Sequence, residues 1–177
     1  MASKPIGWRR EPARHSLAAK GVKTKRSDVT IGKVFIRGKN QYKIESIEME
    51  EILDESPDLS FYGEFSNTPK EGAIDLKEQG DWDSGKYRYF NPAMQENPME
   101  LYRRMVAYDK GLWNMEGIRA KAKVLLSTDG GKTWKSHTIS SGGLWGVESD
   151  SGNDYKNDIF REEREELAKQ LRAFNFR

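Results

Sequence analysis

The sequence predicts an α+β fold, an antiparallel sheet of about four to five strands packed by two helices, and three stretches carry that prediction. Residues 118–126 alternate strictly, with Ile118, Ala120, Ala122, Val124 and Leu126 on one side and Arg119, Lys121 and Lys123 on the other. That period of two belongs to a half-buried strand. Residues 98–110 carry Leu101, Tyr102, Met105, Val106 and Tyr108 at helical spacing. Residues 153–174 repeat the helical pattern with Tyr155, Ile159, Phe160, Leu167, Leu171 and Phe174. Strands followed by helices without βαβ alternation point to α+β rather than α/β.

Composition bounds what the chain can do. Its 177 residues suit one domain. Aromatic residues make up 11%, enough to build a core, and this argues against wholesale disorder. The absence of cysteine excludes disulfides, thiolate zinc sites and cysteine nucleophiles. With only His15 and His137, a histidine-rich metal site or a Ser-His-Asp triad lacks material. No run approaches the ~18 apolar residues of a membrane span, and the start, MASKPIGWRREPARHS, has no apolar run of the secretory kind. The expectation is a cytoplasmic protein, with no membrane partner and no cofactor, leaning away from an enzyme.

Charge is sorted along the chain. Residues 1–28 hold Lys4, Arg9, Arg10, Arg14, Lys20, Lys23, Lys25 and Arg26 against Glu11 and Asp28, a net of +6. Residues 45–83 hold thirteen Asp/Glu against Lys70 and Lys77, a net of −11. The sequence therefore divides into a basic N-terminal arm, 1–28, and a single domain, 29–177. Trp8 beside Arg9 and Arg10 suits phosphate contacts with one stacking residue; a solvated terminus is the other reading. The acidic region reads as a solvated face, a dock for the arm, or an imitation of a phosphate backbone.

In chain order, Val29 to Ile36 is the first expected strand, bulged at Gly32, and RGKNQ is the turn after it. The second strand runs from Tyr42 and Ile44, then changes phase at Ile47 and Met49, the mark of another bulge. Residues 54–97 yield one or two short strands, near 59–65 and 86–90, joined by surface loops. The helix over 98–110 is well punctuated. Asn97 is placed to cap, Pro98 to take the first turn, Glu100 to complete a capping box and Gly111 to stop the helix.

In the alternating strand, the small Ala120 and Ala122 require a bulky neighbour. Arg119, Lys121 and Lys123 stand ~7 Å apart, twice the strand rise. They either meet phosphates or pair with acids on the next strand. Ser127 to Trp134, STDGGKTW, then matches the Asp-box pattern Ser-x-Asp-x-Gly-x-Thr-Trp. Asp129 is placed to accept backbone N–H groups across the turn, and Trp134 to fold back over it. The motif resembles those of sialidase-type propellers, but one copy without repeats excludes a propeller and marks a hairpin.

After a strand at 133–139, Gly142, Gly143 and Gly146 bracket Leu144 and Trp145 in tight turns, with Trp145 expected to plug a pocket. Glu148, Asp150 and Asp154 precede the last helix. They read as helix-terminal acids with Ser151 or Asn153 as the cap, or as carboxylates for Mg²⁺ or Ca²⁺.

The block from Tyr108 through Gly111, Trp113 and Gly117–Ala122 to Gly142–Ser151, roughly residues 95–175, resembles uncharacterised small proteins of phages and other mobile elements that share GIRAxA and GLWGxESDS segments. The resemblance implies a mobile-element context and assigns no activity. Three function classes are open. One is a non-enzymatic binding protein for nucleic acid or a nucleoprotein complex, using the arm cations, Arg119, Lys121 and Lys123, with Trp145 as a partner contact. Another is an anti-defence inhibitor, anti-CRISPR-like, that binds a host defence protein. A metal-dependent enzyme using Glu148, Asp150 and Asp154 is a third.

Overall fold

The computed structural model describes residues 31–80 and 86–173. It is α+β, with a five-stranded antiparallel sheet, a separate three-stranded sheet and two helices. The elements are β1 (Val34–Arg37), β2 (Asn40–Leu53), β3 (Gly63–Ser66), β4 (Ile74–Asp75), β5 (Tyr89–Pro92), α1 (Pro98–Asp109), β6 (Met115–Ser127), β7 (Lys135–Ser140), β8 (Leu144–Glu148) and α2 (Asn153–Ala173).

The large sheet has the order β1-β2-β6-β7, and β8 also pairs with β6. β2 lies along β6 from Gln41↔Ser127 to Leu53↔Glu116. The other edge of β6 is shared: β7 takes residues 121–126 and β8 takes 115–118. The expected phase change in β2 is a bulge between Ile44 and Ser46. Without it, Ile44 and Ile47 could not both face the core, because a one-residue slip turns every later side chain over.

On one face, Ile44, Ala120, Ala122 and Val124 are packed with Leu167 and Leu171 of α2, with Phe160 against them. Ile118, Val147 and Ile159 continue the layer. The bulky neighbour that Ala120 and Ala122 require is thus α2. Burying a Leu or Ile side chain stabilises by ~1.5–3 kcal/mol, so this seam holds α2, whose outer positions are largely charged. Lys156 of α2 closes the seam, with its ammonium 2.5 Å from Glu116 and 2.7 Å from Glu51.

The small sheet has the order β3-β5-β4. With α1 it encloses a second core of Tyr62, Phe90, Leu101, Tyr102, Met105, Trp113 and Met115. Several expectations are corrected here. β3 and β5 are the short strands expected near 59–65 and 86–90, but β4 was not foreseen and the three form their own sheet. Helix α1 packs on that sheet and meets the large one at the Met115 end of β6. Gly32 sits in a left-handed turn before β1 (φ 81°), its N–H donating to the Ile44 carbonyl at 2.8 Å, instead of forming a bulge.

Asn97 is itself left-handed (φ 54°) and makes no side-chain cap, so the capping box does not form. The C-terminus behaves as expected. Gly111 takes φ 68°, its N–H reaches the Tyr108 carbonyl, and Leu112 N–H reaches Ala107, the paired bonds of a Schellman stop. For α2, the Gly152 carbonyl accepts from Lys156 N–H at 3.2 Å. Gly152 therefore flanks the helix, between the two residues expected to cap it. Tyr155, expected in the apolar stripe, is exposed, and Phe174 lies outside the described residues.

Candidate functional site

The face of the large sheet opposite α2 is the candidate site. Alternation on β6 sends 118, 120, 122 and 124 to α2, and so sends Arg119, Lys121 and Lys123 to the other side. The register sets Glu50 opposite Arg119, Glu48 opposite Lys121 and Ser46 opposite Lys123 from β2. From β7 it sets Ser140 opposite Lys121 and Thr138 opposite Lys123. From Arg119 to Leu125 this face of β6 is made of half-exposed or exposed side chains.

The three cations meet carboxylates of β2. Arg119 Nε lies 2.6 Å from Glu50, Lys121 Nζ lies 2.7 Å from the same carboxylate, and Lys123 Nζ lies 2.6 Å from Glu45. Hydrogen bonds from Lys121 and Arg119 hold the Glu50 carboxyl below its ordinary range. The pairing reading of the cation row is therefore realised within the fold. These groups remain partly hydrated, so each pair is worth ~1 kcal/mol or less and is open to exchange.

A tryptophan stands at each end of the row. At one end is the Asp-box turn. Asp129 accepts from the N–H groups of Lys132 and Thr133 and from the hydroxyls of Ser127 and Thr133. These bonds, the Thr133 hydroxyl and N–H foremost, push its carboxyl far below the usual range. Trp134 folds back with its Nε1–H on the Gly131 carbonyl at 3.1 Å, and Lys43 Nζ lies 5.4 Å from its ring centroid. Lys43 pairs with Leu125 in register and so belongs to the same face.

At the other end is Trp145. A Cβ built on Gly117 would lie 2.6–2.9 Å from three atoms of the Trp145 indole, so glycine is required there for the ring to rest on the strand. Trp145 sits in β8, not in a loop, and 47% of its surface is exposed. The expected plugged pocket is corrected to an indole laid over Gly117, beside Arg119. Its Nε1–H donates to the Gly142 carbonyl at 3.2 Å.

The three acidic candidates do not form one cluster. Glu148 and Asp150 both bind the Arg104 guanidinium of α1, at 2.7 and 2.5 Å. Asp154 is an exposed residue in the first turn of α2. Among the described residues, no group of three or more His, Cys, Asp or Glu is arranged to hold a metal ion. A shallow cleft of about 230 Å³, lined by Leu126, Thr128, Thr133, Lys135 and His137, has no carboxylate to pair with its histidine. Among the described residues, no helix is long and apolar enough to cross a membrane.

The arm candidates Trp8, Arg9, Arg10, Arg14, Lys20, Lys23, Lys25 and Arg26 lie outside the described residues. Sequence reasoning missed Lys43, Ser136 and Thr138 as members of this face. The alternation of β7 carried the signal for the last two; the bulge in β2 concealed the first. Comparison of the chain with protein-family models, with curated proteins and with solved structures finds no match to any of them.

Proposed function

We propose that the protein is a non-enzymatic binding module of a phage or other mobile element, engaging nucleic acid or a nucleoprotein complex across the open face of its large sheet. The observation that carries this reading is the line Arg119, Lys121, Lys123 on an uncovered face, bordered by the hydroxyls of Ser136 and Thr138. Lys and Arg supply the sequence-independent phosphate attraction, and hydroxyls add positioning bonds. The net +6 of residues 1–28 adds to the same attraction. The outer side of α2 carries both signs in near balance, exposed Asp154, Asp158, Glu162, Glu165 and Glu166 against Arg161, Arg164, Lys169 and Arg172, and so offers no comparable line of cations.

The test is binding of labelled DNA and RNA by the full chain across a salt series. Affinity should fall steeply with salt, and R119Q/K121Q/K123Q should reduce the slope of log K by roughly 2–3. No binding to either nucleic acid at low salt sinks the reading.

A second reading, an inhibitor that covers a surface of a host defence protein, is favoured by the charge balance of the same face. Glu45, Glu48 and Glu50 interleave with the cations, a mixed pattern suited to a mixed-charge protein partner. Nuclease-resistant capture of one host protein, lost in R119E/K121E, would favour it over the first.

A further inference from the structure

The open face distinguishes between forms of nucleic acid. Resting on the proposed nucleic-acid function, we infer that its ligand is single-stranded, held with its backbone along β6 and a base stacked on Trp145. Three observations converge on this.

The first is the linear order of the cations. Arg119, Lys121 and Lys123 lie on one strand at ~7 Å intervals, a track for one backbone. Reading a duplex takes an element that enters a groove, and the cations here project from a sheet face rather than from a protruding helix or ribbon.

The second is Trp145. Its ring covers Gly117, stands beside Arg119 and keeps 47% of its surface in solvent. An exposed large aromatic next to cations is a stacking platform. Bases in a duplex are already stacked on one another, so an unpaired base is the partner that uses this surface.

The third is the opposite end of the face. Eight residues of β6, ~27 Å at the strand rise, separate Gly117 from Leu125. There the Lys43 ammonium lies 5.4 Å from the centroid of the Trp134 ring. The backbone track is thus bordered by an aromatic at each end. Glu50 and Glu45 neutralise the track in the free protein and are displaced by phosphates, a competition that keeps binding moderate and dependent on salt.

The experiment titrates full-length protein against a labelled dT15 strand and against a 15-base-pair duplex at fixed salt, with W145L and W145Y beside the parent. Leu keeps an apolar cover on Gly117 and Tyr keeps an aromatic face; thermal denaturation confirms that each variant folds. The strand should bind at least tenfold more tightly than the duplex. W145L should weaken strand binding by roughly five- to a hundredfold, leave the duplex unchanged, and be largely rescued in W145Y. Equal or tighter duplex binding, or an equal loss on both forms in W145L, overturns the inference while the proposed function stands. If neither form binds, the proposed function fails and takes the inference with it. A W145L that does not fold leaves the strand-to-duplex ratio of the parent and the W145Y affinity to decide: a ratio below tenfold overturns the inference.

Discussion

The Arg104 guanidinium lies 3.9 Å from the centroid of the Trp113 ring, and the Trp113 indole N–H donates to the backbone carbonyl of Arg104 at 3.0 Å. The same guanidinium reaches Glu148 and Asp150, and the Tyr62 hydroxyl donates to Glu148. One arginine thus ties α1 to the end of β8 and to the segment leading into β6, where the two cores meet.

The expected cost of breaking that tie follows from its geometry. Arg104 combines a forked carboxylate contact with a stacked ring, which a point charge cannot reproduce. R104A should lower unfolding free energy by ~2–4 kcal/mol, and R104K should recover less than half of that loss. Urea denaturation of the three proteins checks it. An R104K indistinguishable from the parent would show that charge alone is needed.

Lys156 gives a sharper contrast. Its side chain is 8% exposed and that of Glu116 is 11% exposed. Burial works against the charge of Lys156, but hydrogen bonds from it to Glu116 and Glu51 outweigh that and raise its pKa. Removing one partner strands a buried carboxylate, so K156M should cost ~3–5 kcal/mol. Replacing both, K156M/E116M, should return most of the loss, since an apolar pair of similar volume is nearly neutral. A double variant no more stable than K156M would mean that the site cannot repack.

These two nodes mark where sequence reasoning stopped. The strand 115–127, both helices and the Asp-box turn were legible because each is coded locally, by a period or by a punctuating glycine. Arg104 meets Glu148 across 44 residues and Lys156 meets Glu51 across 105. No local pattern announces such pairs, because they depend on how α1 and α2 dock. The small sheet was hidden for a similar reason. β4 is two residues long and forms through the strand beside it, not through its own propensity. Glycines on both sides of Trp145 suggest a loop, whereas Gly117, 28 positions earlier on the partner strand, makes the room for its ring. Of the candidate site, the cation row was readable from alternation; the carboxylates it meets were not, because the β2 bulge sets their register.

Asp129 provides a pH test. Its folded pKa is depressed by hydrogen bonds to the charged form, chiefly from Thr133. A depressed carboxylate contributes stability that is fully present above its unfolded value, ~3.9. That contribution is lost progressively as pH falls toward the folded value. D129N should therefore melt at a lower temperature than the parent at pH 7, and the gap should narrow as pH drops below ~4. Melts at pH 7, 5, 4, 3 and 2 measure it. A gap that stays constant across the series would assign the loss to turn geometry rather than to the charge.

Glu50 separates a structural salt bridge from a competing counterion. It neutralises Arg119 and Lys121 at once, at 2.6 and 2.7 Å, on a face where all three groups stay partly hydrated. Neutralising it in E50Q should change stability by less than ~1 kcal/mol. If the face binds phosphates, the same change releases two cations and should tighten single-strand binding by roughly three- to tenfold at low salt, with a steeper salt dependence. A purely structural pairing would give the opposite outcome, affinity unchanged or reduced together with a lower melting temperature. Measuring both properties on one preparation decides between them, because a counterion and a structural clamp move affinity and stability in different directions.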